Sequence, residues 1–345
     1  MTTGSGLATA AAFALLATTA LSQQFVNNTA DVPAGNPANA GDSENVDFAD
    51  VDLDGDLDVA FADGGDCCNQ QNNLWINQGG LQGGTIGVFV DETAARFPNI
   101  LDVSRDVEFA DIDGDSDPDL FISNTVQINN QPSRFWINLG PAPESVGFFA
   151  DETATRWVGV GGPGSSVAVP LIWPGGGFLN WAHDGDFADL DNDGDLDLVH
   201  SSKGGAFGGQ VPTRIFLNDG SGHFSEFNPS GFQLASSNIQ DGQPGLWCEG
   251  THMSDTTDTT GVECDIALPV VDLELGDIDG DLDIDLLLGS RDNLPRMYRN
   301  RLEESGSLSF RDVSHATFAP NWATGGAAFE QEFGISTAPI EPKKG

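Results

Sequence analysis

Phe48-Ala-Asp-Val-Asp-Leu-Asp-Gly-Asp-Leu-Asp58 carries aspartate at every second position from Asp50 to Asp58. The pattern returns without a gap in Phe109-Ala-Asp-Ile-Asp-Gly-Asp-Ser-Asp-Pro-Asp119, Phe187-Ala-Asp-Leu-Asp-Asn-Asp-Gly-Asp-Leu-Asp197 and Leu275-Gly-Asp-Ile-Asp-Gly-Asp-Leu-Asp-Ile-Asp285. Numbered within each nine-residue loop, position 1 is Asp50, Asp111, Asp189 and Asp277, and position 3 is Asp52, Asp113, Asp191 and Asp279. Position 5 is Asp54, Asp115, Asp193 and Asp281; position 7 is Asp56, Asp117, Asp195 and Asp283; position 9 is Asp58, Asp119, Asp197 and Asp285. These loops hold 20 of the 53 acidic residues, so the charge is concentrated in candidate sites and not merely spread over a solvated surface.

The same order of segments follows each loop, which marks a tandem repeat. An apolar run comes first (Val59-Ala-Phe61, Leu120-Phe-Ile122, Leu198-Val199, Leu286-Leu-Leu288), then an aromatic segment ending in Asn77, Asn138, Asn218 or Asn300. A Phe-centred segment closes the unit, as in Val88-Phe-Val-Asp-Glu-Thr93 and Phe148-Phe-Ala-Asp-Glu-Thr153. The stretch entering each loop, such as Val46-Asp-Phe48, alternates apolar and acidic residues as a half-buried strand does. Helix has little support, because the runs are short, β-branched or aromatic, and bounded by Gly, Asn, Asp and Pro. The expectation is an all-β chain, a β-propeller of four-stranded antiparallel blades with four recognisable blades. The inserts from Val158 to His183 and from Ser230 to Asp265 read as loops between blades.

Alternating carboxylates on a tight turn repel one another, by roughly 4 kcal/mol for a pair about 4 Å apart at an effective dielectric of about 20. A hard cation removes that cost. Calcium accepts 6 to 8 oxygens in flexible geometry, whereas magnesium requires a tighter octahedron, so about four Ca2+ ions per chain are expected. The EF-hand pattern fails at its twelfth residue, a bidentate Glu there and Phe61, Ile122, His200 and Leu288 here.

The four D-x-D-x-D-x-x-x-D loops, each followed by an apolar strand, resemble the FG-GAP or VCBS repeats of integrin-type calcium-binding β-propellers. The aromatic-Asn and F-x-D-E-T segments are similar to the cartilage acidic protein 1-like version of that repeat. The resemblance covers about residues 42 to 315, in units of about 42–100, 101–157, 180–230 and 266–315. It implies side-chain ligation from positions 1, 3, 5 and 9, and a backbone carbonyl from position 7, that is from Asp56, Asp117, Asp195 and Asp283. The turn glycine alternates between positions 4 and 6, and Ser116 in its place at position 6 implies a looser second site. Such propellers commonly have seven blades, so residues 316–345 are expected to be either a tail, a partial fifth blade, or a strand that closes a small ring.

Residues 1–22 read as a signal peptide, an apolar run from Leu7 to Leu21 ending near Ser22, and 23–41 as a linker. The mature chain is expected to be secreted, at the cell surface or in the periplasm, where Cys67, Cys68, Cys248 and Cys264 can form disulfides whose pairing stays open. Lys+Arg 13 against Asp+Glu 53, a net charge of -40, argues against nucleic-acid binding and anionic membrane surfaces, and no membrane insertion is expected after signal cleavage. No nucleophile elbow, zinc-helix or P-loop motif is present, and only His183 beside Asp184 forms a His–Asp neighbour pair of interest. The expected function is therefore non-enzymatic, a binding or adhesion module for an extracellular protein or glycan. The alternative is a polysaccharide-degrading lyase or hydrolase on the same scaffold. Trp75, Trp136, Phe216 and Tyr298 recur once per repeat and are expected in packing between sheets. Trp157, Trp173, Trp181 and Trp247, in or beside the inserts, are candidates for stacking on sugar rings.

Overall fold

A computed structural model describes residues 27–33, 42–65, 68–125, 131–140, 142, 145–160, 179, 181–202, 213–227, 248–249, 270–290 and 295–312. The signal peptide, the segment 313–345, Cys67, Cys264, Trp173 and Trp247 lie outside them. The strands in chain order are β1 (Ser43–Ala49), β2 (Asp58–Asp63), β3 (Gln70–Gln71), β4 (Asn73–Asn77), β5 (Phe89–Asp91), β6 (Leu101–Asp102), β7 (Ser104–Ala110), β8 (Asp119–Asn124), β9 (Arg134–Asn138) and β10 (Phe149–Asp151). They continue as β11 (Trp157–Val158), β12 (Gly185–Ala188), β13 (Asp197–His200), β14 (Arg214–Asn218), β15 (Phe224–Glu226), β16 (Cys248–Glu249), β17 (Val270–Gly276), β18 (Asp285–Ser290), β19 (Arg296–Asn300) and β20 (Phe310–Asp312).

The chain is all-β, with four antiparallel sheets that each hold one aspartate loop between their first and second strands. The orders are β1-β2-β4-β5, β7-β8-β9-β10, β12-β13-β14-β15 and β17-β18-β19-β20. Of two departures from expectation, the first concerns the inserts read as loops. They contribute β11, parallel to β15, and β16, parallel to β20, so the third and fourth sheets gain a fifth, two-residue strand. These strands supply partners to outer-edge backbone groups that would otherwise face water or another chain. The other departure is helical: Thr93–Arg96 (α1), Thr153–Arg156 (α2) and Leu302–Ser305 (α3) each form a single turn. In the D-E-T segments the first turn is held by Asp91 and Asp151, which accept the N–H of Thr93 and Thr153. The threonine hydroxyls in turn accept the N–H of Leu74 and Phe135.

Residue pairing across strands sorts each sheet into two faces. Val107, Leu120, Ile122 and Trp136 share one face of the second sheet and pack on Ala60, Ala62, Leu74 and Ile76 of the first. Phe121, Phe135 and Ile137, on its other face, meet Leu198, Phe216 and Phe224 of the third sheet. Val199 and Ile215 meet Leu273, Leu286, Leu288 and Tyr298 of the fourth. Three of the four recurring aromatics fill these interfaces, Trp136, Phe216 and Tyr298 being fully buried, whereas Trp75 is half-buried on the outer face of the first sheet against Phe61. Trp157 and Trp181 are also buried, which removes them as exposed stacking platforms. Among the described residues the equivalent face of the first sheet meets no other sheet, and Val46 and Phe48 there are about half exposed, at 46% and 53%.

Adjacent sheets also meet along their first strands, β1 with β7, β7 with β12, and β12 with β17. Those strands are edges, and carboxylates from one cap the free N–H groups of the next. Asp47 accepts from Phe109 N–H at 2.8 Å, Asp106 from Gly185 N–H at 3.2 Å and Asp184 from Leu273 N–H at 2.6 Å. Burial and the facing Asp184 and Glu108 hold the Asp106 carboxyl far above its ordinary range. No comparable contact joins β17 to β1 among the described residues. Cys68 is disulfide-bonded. No helix among the described residues is long and apolar enough to cross a membrane.

Candidate metal centres in the aspartate loops

Each loop is shaped by its own aspartates. The position 1 carboxylate folds over the turn: Asp50 accepts from Asp54 N–H and Gly55 N–H, Asp189 from Asp193 N–H and Gly194 N–H, and Asp277 from Gly280 N–H and Leu282 N–H. Both position 4 and position 6 take positive φ in every loop. The pairs are Leu53 and Gly55, Gly114 and Ser116, Asn192 and Gly194, Gly280 and Leu282. One glycine per loop relieves half of this left-handed turn, and the other half is carried by an L-residue. The wandering glycine is thus one backbone shape met in two ways, and Ser116 is the second loop's version of it.

Position 9 is a strut. Asp58, Asp119, Asp197 and Asp285 are almost wholly buried. One oxygen of each accepts the N–H of position 2 and the other the N–H of the Asn that ends the third strand. Burial lifts these carboxyls from 3.8 to about 7 for Asp58, Asp197 and Asp285 and about 8 for Asp119, against the lowering effect of those N–H groups.

The same asparagines lock one loop to the next. Asn138 Nδ2 donates to Pro118 O in its own loop at 3.2 Å and to Val51 O in the preceding loop at 2.9 Å. Asn218 repeats this with Leu196 O and Ile112 O, and Asn300 reaches Leu190 O. Two arginines add a second link. Arg96 joins Asp52 at 3.4 Å to the Val146 and Gly147 carbonyls of the next sheet, and Arg156 joins Asp113 at 3.0 Å to Ser221 O. They approach so closely that a Cβ on Gly147 or Gly222 would lie 2.4 or 2.2 Å from the guanidinium and displace it, at positions that also hold positive φ.

Among the described residues, carboxylate oxygens converge to within 4.8 Å in Asp50, Asp52 and Asp58, in Asp111, Asp113 and Asp115, in Asp189, Asp191 and Asp197, and in Asp277, Asp279 and Asp285. Three loops therefore gather positions 1, 3 and 9, and the second gathers 1, 3 and 5. Buried oxygens of Asp52, Asp111, Asp113 and Asp191 have no hydrogen-bond partner, which fits an all-oxygen donor set awaiting a hard cation. Asp52 and Asp191 are pushed above the ordinary carboxylate range by burial and by neighbouring loop aspartates.

The remaining aspartates go elsewhere. Asp54, Asp193 and Asp281 at position 5 accept the N–H of position 7. At position 7, Asp56 and Asp117 are buried with both oxygens unpartnered, while Asp283 is taken by Asn192 Nδ2 and Glu303 N–H. A fifth group joins Asp281 and Asp283, positions 5 and 7 of the fourth loop, to Glu304, which lies outside the nine-residue pattern. Glu304 sits on α3, and its only sequence signal is its place four residues after the repeat's asparagine. Arg299 contacts Asp279 and lies 3.1 Å from Asp281 and 2.7 Å from Glu304, so a side-chain cation already stands among these groups.

The His183–Asp184 neighbours each hold a partner other than one another. His183 Nε2 accepts the Trp181 indole N–H, and Asp184 accepts Leu273 N–H.

The fold and the loops define a class: an all-β chain of tandem antiparallel sheets whose aspartate turns can hold metal ions. Residues 50–122, spanning the first loop, the second loop and the strand after it, match the family model of FG-GAP-like repeats. No curated protein matches the chain.

Proposed function

We propose that residues 42–315 form a calcium-loaded β-propeller module of a secreted or cell-surface protein, and that it binds an extracellular protein or glycan without catalysing a reaction. The convergence of three carboxylates in each of four loops carries this reading. Positions 1, 3 and 9, with position 5 replacing 9 in the second loop, would hold the ions, joined by the position 7 carbonyls that the family resemblance implies. Calcium would supply the positive charge that lets the carboxylates stay ionised and close together. The Asn clamp between loops makes each loop part of the interface with its neighbour, so a bound ion would stiffen the junction of two blades. The half-exposed Val46 and Phe48 face supports a propeller in which one more apolar surface packs on the first sheet.

The test is binding of the full chain to immobilised extracellular proteins and glycans, in millimolar calcium and in chelator. Saturable capture that chelation abolishes is the expected result. Turnover of a polysaccharide substrate, or capture indifferent to calcium, would overturn the reading.

A further inference from the structure

The first sheet differs from the other three at the residue that opens its third strand. That residue is Arg134, Arg214 and Arg296 in the second, third and fourth sheets, and Asn73 in the first. Arg134 is buried and pairs with Asp151 at 3.1 Å as well as with Asp102. Arg214 is buried and pairs with Glu226 at 3.2 Å. Asp151 and Glu226 lie opposite Trp136 and Phe216, and Asp91 lies opposite Trp75 in the corresponding register. Asn73 gives Asp91 no cation, and its amide N–H turns to Asp63 instead.

A cavity of about 670 Å3 lies beside this pair, between the end of the first sheet and the β3–β6 ribbon. That volume is within the usual range of small-ligand sites, roughly 300–1,000 Å3. Asn69, Gln70, Asn73 and Asn99 bring side-chain amides to its wall, and Asp91 and Glu92 bring carboxylates. The Asn69 amide oxygen is buried and has no partner. Phe97 and the half-exposed Leu101 supply an apolar part of the wall. Amides offer donors and acceptors side by side, which suits hydroxyl groups that must both give and take hydrogen bonds. Glu92 is paired with Arg96 at 2.6 Å, and the Asp91 carboxylate, with no Lys or Arg among the described lining residues, disfavours an anion. Resting on the binding-module reading and naming its ligand class, we propose that this cavity is the binding site for a neutral carbohydrate.

The experiment titrates the calcium-loaded full chain with neutral cello-, xylo-, manno- and chito-oligosaccharides, in parallel with Asn73→Arg. This variant installs the arginine of the other sheets against Asp91 and intrudes into the cavity beside it. At least one saccharide should bind wild type, with about a tenfold or greater loss of affinity in Asn73→Arg and a melting temperature equal or higher. If Asn73→Arg melts early, Asp91→Ala, which removes the acceptor without filling the space, should show the same loss. Saccharide binding unchanged in the folded variant would place the sugar elsewhere and overturn this site, while leaving the module reading intact. No saccharide binding by wild type would also overturn it, and calcium-dependent capture of a protein would then show that the module reading survives alone.

Discussion

The third and fourth aspartate loops have the same nine-residue pattern and the same clamp from a following or resident asparagine, yet they are electrostatically different. In the third loop, Asp191 keeps a buried oxygen with no partner and is pushed up by burial and then by Asp193 and Asp189. In the fourth, Arg299 stands against Asp279 and Asp281: burial still raises Asp279, the counterpart of Asp191, but Arg299 opposes that rise, and Asp281 lies below its ordinary range despite burial, through Asp283 N–H and Arg299. The arginine occupies the strand position held by Leu217 in the third repeat and by Ile76 and Ile137 in the first two. Equal spacing of ligands therefore does not make equal sites, because a cation built into the chain can do part of the work of a bound one. On the proposed calcium reading, the third loop would depend on an external ion more than the fourth.

The largest effect that follows is from chelation. Removing calcium should destabilise the chain by several kcal/mol, since each site contributes about 4 kcal/mol when the ion is a thousandfold above its Kd. Thermal unfolding in calcium and in chelator measures this, and equal melting temperatures would erase the distinction between the loops. Next comes the link between the two loops. Asn300→Ala removes the donor to Leu190 O and should cost about 2–3 kcal/mol by chemical denaturation, as buried carbonyls lose their partner.

Acidity gives a smaller effect whose sign depends on the ion. Burial raises Asp197 and Asp285 from 3.8 to about 7, so the calcium-free fold holds protons that the unfolded chain releases. Its stability should be highest below the unfolded value near 3.8 and fall as pH rises through about 7. With calcium bound the trend should reverse, because the ion requires ionised carboxylates. Melts across pH in calcium and in chelator would show opposite slopes; parallel slopes would contradict the account. The smallest effect is in the backbone. Leu282 holds a φ of 76° and Asn192 one of 59°. Leu282→Gly should stabilise by about 0.5 kcal/mol, the relief of a left-handed Leu outweighing the added chain entropy, whereas Asn192→Gly should be unfavourable, since Asn tolerates this region and its Nδ2 donates to Asp283.

The repeats were legible because aspartate spacing, the aromatic-Asn segment and the F-x-D-E-T segment are local patterns that recur. The strands, the loops and the burial of Trp136, Phe216 and Tyr298 all follow from them. What the sequence did not reveal depends on contacts between repeats. Nothing local marks Asn138 as a donor to Val51 O in the previous loop, or Arg96 as a bridge from Asp52 to the next sheet. The capping of Phe109 N–H by Asp47 looks in sequence like ordinary alternation of acidic and apolar residues. Trp157 and Trp181 read as insert residues but fold into buried positions, because a segment rich in turn residues gives no periodicity from which to assign a face. Arg299 was visible all along in Met297-Tyr-Arg-Asn300, and only its distance to Asp281 gives it meaning.

The most direct test of the central claim is a calcium count with affinities for wild type and Arg299→Leu, by calorimetry on the calcium-free full chain. In wild type the third loop, which no arginine touches among the described ion pairs, is expected to hold the tightest site and the fourth, where Arg299 meets both Asp279 and Asp281, the weakest, with the first and second, where Arg96 and Arg156 reach position 3 alone, between them. In Arg299→Leu the fourth should tighten by about tenfold, or about 1.4 kcal/mol, toward the others. No saturable calcium binding by wild type would contradict the assignment of the aspartate loops as ion sites.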